Sequence, residues 1–262
     1  MGTLDRAPTR LTALVADPWP VHEVASDVRL RVAGGPPPLT PALEAELDRL
    51  WAAAQRRMHG RLFNGQVFSA DRIEPHLIAG HWTEFRRVVA QMDRPELHEV
   101  LRTRPLAVCG VIVGPAGVVL GRRPAGAVYQ AGEWQLAPAG SIDPGAERDG
   151  GNVDYLAQLL REMREELGLP AAAVRDPRPL AIVEHAENGV GSHVADLGVA
   201  LQTDLEASSI LAAHAAHGDG EYDPLRVMPL DEVPRFVAQH AGTLNPQAPI
   251  FLRRRGLLPP PS

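Results

Sequence analysis

The sequence predicts a mixed α/β fold of the α+β kind, with short strands and helices packed as a sandwich. Three observations lead there. Apolar runs of strand length recur along the chain between glycine and proline breaks. Stretches with helical apolar spacing stand between them. The 262 residues are 45% hydrophobic, enough to fill a proper core, and no internal repeat is visible. A net charge of −6 and a pI near 5.9 argue against general affinity for nucleic-acid backbones or acidic membranes. All 26 basic residues are arginine. The single cysteine, Cys109, sits in an apolar run, cannot form an internal disulfide and reads as a buried strand thiol in a reducing compartment. No stretch approaches the ~20 apolar residues of a membrane span. The start of the chain, with Asp5, Arg6 and Arg10, lacks a secretory apolar region, so a cytoplasmic location is expected.

Residues 1–104 are expected to form a small α+β unit. Residues 11–16 and 28–32 read as strands, the second with clean alternation. After the break at Gly34 and Gly35, Thr40 as N-cap and Pro41 at N1 open a helix to about His59, whose stripe of Leu43, Leu47, Leu50, Trp51 and Ala54 is expected to face a core. Asn64-Gly65 between two apolar runs predicts a tight turn, residues 73–78 a strand, and residues 82–101 a mainly helical segment interrupted at Asp93-Arg94-Pro95. Such a unit would extend the main sheet or partly cover a site.

Residues 105–258 are expected to form the principal domain. Residues 106–113 and 118–122, joined by Gly114 to Gly117, predict a hairpin, and residues 133–136 resume an extended run. A helix follows from Asp154 to Leu167, with Gly168 as its C-cap and Leu169-Pro170 preventing continuation. Residues 179–184 and 193–201 predict strands around a Gly-rich turn, 204–217 a helix or ordered loop, and 226–229 a short strand. A last helix over 232–240 is expected to be capped by Asp231. The Pro-rich tail, 259–262, is expected to be disordered.

The helix from Asp154 carries the chemistry. Glu162, Glu165 and Glu166 stand at i, i+3 and i+4, so three carboxylates are expected on one face near its C-terminal end, where the helix dipole does not favour anions. Runs of Arg and Glu are also common on solvated helices, where the two pair with each other. A divalent cation is the alternative compensation, and hard oxygen ligands suit Mg²⁺ or Mn²⁺, whose shells are completed by water and substrate phosphate.

The nine residues Arg161 to Leu169 resemble the second half of the Nudix box, Gly-x5-Glu-x7-Arg-Glu-U-x-Glu-Glu-x-Gly-U with U aliphatic, and every specified position there agrees. Trp134 to Gly140 resembles the strand and turn leading into the box, with Gly140 as its first glycine. Two departures stand out. The loop between Gly140 and Arg161 is about seven residues longer than the pattern, around residues 144–152, and the glutamate the pattern places there is Val153. Glu147, Asp149 and Asp154 are the nearby acids that are candidates to stand in for it.

The resemblance implies the Nudix α-β-α sandwich with a mixed sheet over residues 105–258. It also implies metal-dependent hydrolysis of the pyrophosphate of a nucleoside diphosphate linked to another group. Glu162 and Glu166 are implied as metal ligands, Glu165 as a third ligand or the general base, and Arg161 as a residue orienting a box glutamate by an ion pair. The Gly140 carbonyl could complete a metal shell, since glycine lets backbone come close. Glu221 is placed where such proteins often supply a further acid, with Glu184 and Glu187 as weaker alternatives. Arg122 and Arg123 read as phosphate contacts or solvated strand-end charges, and Trp134 and Tyr129 as base-stacking or core aromatics. His185, His193, His214 and His217 lack metal-ligand spacing.

A looser resemblance is to uridine-diphosphate-glucose pyrophosphatases, which implies UMP and sugar phosphate as products. The expected partner is a small nucleoside diphosphate derivative, with no nucleic acid and no membrane, and a homodimer is compatible with the family. The extended loop and Val153 motivate a second reading, a catalytically silent module that binds a nucleotide.

Overall fold

The computed structural model describes residues 19–127, 129–186 and 193–260. The expected strand at 11–16, the acid Glu187 and the last two residues of the tail lie outside them. In chain order the elements are β1 (Val21–His22), β2 (Arg29–Val32), α1 (Pro41–Arg57), β3 (Gln66–Glu74), β4 (Leu77–Glu84), α2 (Phe85–Asp93) and α3 (His98–Leu101). Then come β5 (Leu106–Gly114), β6 (Gly117–Arg122), β7 (Trp134–Leu136), β8 (Ala139–Ser141), β9 (Glu147–Arg148), β10 (Asn152–Val153) and α4 (Tyr155–Leu167). The chain continues through β11 (Arg175–His185), β12 (Val194–Gln202), α5 (Ala207–His217), β13 (Leu225–Met228), α6 (Val233–Gln239) and α7 (Gln247–Arg254).

The larger sheet runs β1-β11-β12-β5-β6-β13, with β7 pairing β6 and β8 pairing β5. Side chains alternate across it, as the strand period of two requires. On β5, Val108 and Ile112 join the core that holds Leu159, Met163 and Leu167 of α4. Cys109 and Val111 face the core built with Val233 and Phe236 of α6 and Phe251 of α7. Helices therefore cover both faces, and β5 is buried on each side as a near-continuous apolar run. Burial pushes the Cys109 thiol well above its ordinary pKa, in keeping with an inert strand residue.

The smaller sheet runs β3-β4-β2-β10-β9, so two of its five strands come from the loop before α4. Asn152 pairs with Arg31 and Val153 with Leu30. The seven extra residues are thus the edge of the N-terminal sheet, and Val153, 5% exposed, lies in the core with Leu30, Phe68 and Ile78. A glutamate there would be a buried unpaired charge, which accounts for the apolar residue. The N-terminal stretch also contributes to the larger sheet, through β1 against β11.

Several expectations are corrected. Asn64-Gly65 does not turn a hairpin. Asn64 Oδ1 accepts from the Arg86 N–H at 2.8 Å and Gly65 O from Phe85 N–H at 2.8 Å, so the pair clamps the start of α2. The hairpin turns instead at Pro75-His76, inside the stretch expected as one strand, with Glu74 opposite Leu77. Residues 82–84 are strand, and the helix begins only at Phe85. Asp231 does not cap α6, whose N-cap is Glu232 without a side-chain bond, and α7 follows it unforeseen. No helix of the described residues is long and apolar enough to cross a membrane.

Candidate active site

Strand β8 runs antiparallel to β5, with Gly140 opposite Val108, and lies against α4. A Cβ on Gly140 would fall 2.4 Å from Glu162 Cδ, so the missing side chain is what lets that carboxylate lie on the backbone. Helix α4 starts where Asp154 Oδ1 accepts from Ala157 N–H at 2.9 Å, and it stops at Gly168, whose φ of 68° is left-handed. Between these ends, Glu162 and Glu166 stand one turn apart on the sheet-facing side.

Glu166 is 3% exposed. Its Oε2 accepts from Ala139 N–H at 3.0 Å and from the Tyr222 hydroxyl at 3.1 Å, and that hydroxyl accepts from Gln135 Nε2 at 2.8 Å. His214 lies 2.9 Å from the Glu166 carbonyl and 3.2 Å from that of Tyr222, tying the end of α4 to the segment before β13. Burial, then the charge of Glu162, drives the Glu166 carboxyl well above the usual range. Burial likewise raises Glu162, to about 7, against a hydrogen bond from Gln158 Nε2 that favours the charged form.

Gln158, 2% exposed, was not singled out from the sequence, although it stands one turn before Glu162. Its Oε1 accepts from Arg161 Nη2 at 2.7 Å, and Arg161 is ion-paired with Asp143. The structure corrects the pairing expected of Arg161: it reaches Asp143 instead of a box glutamate, because Asp143 projects from the loop after β8, and it acts on Glu162 through Gln158. Glu165 is exposed, one turn after Glu162, and its charge is among those that raise the Glu162 carboxyl.

A cavity of about 270 Å³ opens beside the Ala139-Gly140 backbone that both carboxylates touch. Arg123 and Glu221, ion-paired to each other, line it, as do Ser141 and Tyr129. Glu221 bears electrostatically on Glu166. Arg122 points away, exposed, with Nε donating to Gly132 O at 2.9 Å. Trp134 is 4% exposed, packed edge-on against Phe236 at 5.2 Å with the Arg226 guanidinium 5.1 Å from its ring centroid, so it is a core aromatic and no stacking platform. Glu147, Asp149 and Asp154 stay outside the cavity lining: Glu147 accepts from Trp82 Nε1 at 2.6 Å, Asp149 is exposed, and Asp154 is the helix cap.

Among the described residues no three His, Cys, Asp or Glu side chains converge as a ready-made metal set. The pair Glu162 and Glu166 still fits a hard divalent cation. Two carboxylates, Glu166 buried and Glu162 half-buried, crowd one spot on a glycine backbone, and Mg²⁺ binds through one or two carboxylates with water and phosphate completing its shell.

Glu184 belongs to a different cluster. His193 Nδ1 lies 2.7 Å from its Oε1, His22 Nε2 3.1 Å from Oε2 and Arg104 Nε 3.4 Å from Oε1. Burial alone would raise this carboxyl, but the His193 hydrogen bond, Arg104 and His22 outweigh it and leave the pKa below 4.5. A depressed carboxylate stabilises above its unfolded value and loses that contribution as pH falls through its folded value. Glu184→Gln is therefore expected to lose about 1–3 kcal/mol at pH 7. The difference from wild type should shrink below pH 4.5 in urea denaturation. A deficit that does not change with pH would mean that Glu184 does not act as an ion.

The family model for the NUDIX domain matches residues 103–248. No curated protein matches the chain. Among solved structures, it is similar to a NUDIX hydrolase from Nitrosomonas europaea, at 16% identity and TM-score 0.43, over 59% of this chain and 89% of that one. It is similar to the NUDIX domain of Shewanella oneidensis NrtR complexed with ADP ribose, at 16% identity and TM-score 0.41, over 60% and 90%. The Nudix hydrolase RenU from M. smegmatis is similar at 24% identity and TM-score 0.39, over 59% and 85%.

Proposed function

The chain belongs to the Nudix family, and from that premise we propose that it is a divalent-metal-dependent pyrophosphohydrolase of a nucleoside diphosphate linked to another group. A nucleotide sugar is the first substrate to test, UDP-glucose giving UMP and a sugar phosphate. The observation that supports this reading best is the pair Glu162, half-buried, and Glu166, buried, one turn apart against the Ala139-Gly140 backbone that lines the cavity. The proposed division of the chain is an N-terminal unit to residue 104, the hydrolase domain from 105 to 258 and a short tail.

A pyrophosphate resists attack because its oxygens are anionic. Glu162 and Glu166 would hold Mg²⁺ or Mn²⁺, with Glu165, Glu221 and the Gly140 carbonyl as further donors. Bound there, the cation would neutralise phosphate charge and lower the pKa of an attacking water. The chain's own residues do the rest. Asp143 fixes Arg161, Arg161 fixes Gln158, and Gln158 aims Glu162. Tyr222 and Ala139 N–H aim Glu166. Arg123, at the cavity wall, would exchange Glu221 for a phosphate oxygen, and the exposed carboxylate of Glu165, which makes no side-chain hydrogen bond among the described residues, would take a proton from water.

The test is a panel of nucleotide sugars, dinucleotides and coenzyme A derivatives with Mg²⁺ or Mn²⁺, scored by product identity. Metal-dependent release of a nucleoside monophosphate supports the proposal. No turnover above a Glu166→Gln background on any of them would favour the silent nucleotide-binding module instead.

A further inference from the structure

The matched region begins at residue 103, yet one wall of the cavity comes from before it. Val67 of β3 and Phe85, Val88 and Met92 of α2 form an apolar side that the hydrolytic chemistry does not use. The three helical residues stand at i, i+3 and i+7, so one face of α2 looks into the cavity. That face is held in place. Phe68 N–H donates to Ile142 O at 2.8 Å, Ala70 N–H to Arg104 O at 2.9 Å, and Arg104 N–H to Ser69 Oγ at 2.9 Å. The buried Gln91 amide of α2 bonds Thr103 through Nε2 at 2.8 Å and through Oε1 at 2.6 and 3.1 Å. The wall is thus preorganised.

Two features of the cavity point to what it takes. The Phe85 ring meets Tyr129 edge to face, with centroids 5.8 Å apart at 75°, which makes an aromatic corner. Gln247, the first residue of α7, is 4% exposed and lines the cavity, and its Oε1 is buried with no hydrogen-bond partner among the described residues. A buried acceptor without a donor is costly, so its donor is expected from a ligand. A sugar, covered in hydroxyls, would leave them unpaired against Val67, Val88 and Met92, whereas a flat heterocycle presents an apolar face and N–H groups at its edge.

We infer that the N-terminal unit is a base-recognition element: the cavity binds a nucleobase stacked in the Phe85–Tyr129 corner, with an edge N–H donated to Gln247 Oε1. That this base belongs to the substrate rests on the proposed pyrophosphate cleavage. The binding itself needs neither metal nor turnover.

Calorimetric titration of the full chain in EDTA tests it, with the four nucleoside 5′-monophosphates against ribose 5-phosphate. At least one nucleotide is expected to bind about tenfold or more tighter than ribose 5-phosphate. Phe85→Ala should remove most of that ratio through the nucleotide arm, and Gln247→Leu, which keeps the shape but not the acceptor, should narrow it. Phe85 also packs edge-on against Trp51 at 6.5 Å, so Phe85→Leu provides a variant that preserves apolar filling while losing the flat ring. A wild-type ratio near one overturns the inference, as does a ratio that survives Phe85→Leu and Gln247→Leu. If the base preference holds while every substrate resists hydrolysis, the base site stands and the hydrolase proposal falls. If substrates turn over and the ratio is one, the reverse is true.

Discussion

Glu166→Gln is expected to cut metal-dependent turnover by about 10³-fold or more, with the protein still folded. Both halves follow from where the carboxylate sits. Its Oε2 accepts from Ala139 N–H and the Tyr222 hydroxyl, and a glutamine carbonyl oxygen can accept the same two bonds. The amide, however, has lost the charge that would hold a cation beside Glu162. Without metal, the burial of this carboxylate is expected to make the variant the better-folded protein. A carboxyl whose folded pKa is raised contributes stability that is complete below its unfolded value and is lost as pH rises through the folded one. Glutamine undergoes no such loss. In EDTA the melting temperature of Glu166→Gln should therefore equal or exceed that of wild type, with the gap widening as pH rises. Added Mn²⁺ should stabilise wild type alone. A variant that melts far below wild type in EDTA would show that Glu166 is a structural carboxylate, and full retention of turnover would remove it from the chemistry.

The contiguous part of the site could be read from sequence because helical periodicity is a local property. The Arg161 to Leu169 run, its Gly168 stop and the Asp154 start are set by neighbours three or four residues away, and the structure has the helix between those ends. Gln158 was legible by the same rule, one turn before Glu162, but an amide announces no chemistry. Asp143 took over the ion pair of Arg161 because it projects from a loop whose course depends on the N-terminal sheet, and spacing is silent about that. Trp134 had two readings because burial is decided by α6 and by Arg226, far along the chain. Helix α7 was missed since Pro249 stands inside its first turn, where a missing N–H costs nothing but breaks the pattern read from residues alone. Phe85 and Gln247 meet at one cavity from distant parts of the chain, a juxtaposition that only the tertiary fold creates.

Val153→Glu, which would restore the residue of the family pattern, is expected to destabilise the protein by about 3–5 kcal/mol and to add no activity. Val153 pairs with Leu30 in the smaller sheet, 5% exposed, among Leu30, Phe68 and Ile78. A carboxylate there must either stay charged without a partner or take up a proton, and each alternative weakens the fold near neutral pH. The penalty should therefore ease toward pH 4, where the side chain is neutral in both states, leaving mainly the cost of placing a polar group in an apolar core. Because β10 ties the loop before α4 to β2, the damage should spread to the N-terminal sheet, with amide exchange rising along β2 and β10 before it rises along β5. Urea denaturation at pH 7 and pH 4 with exchange mapping would check this. A stable Val153→Glu variant with raised turnover would mean that the loop can leave the N-terminal sheet and deliver an acid to the cavity, and the two sheets would then not be the fixed frame on which the carboxylates are aimed.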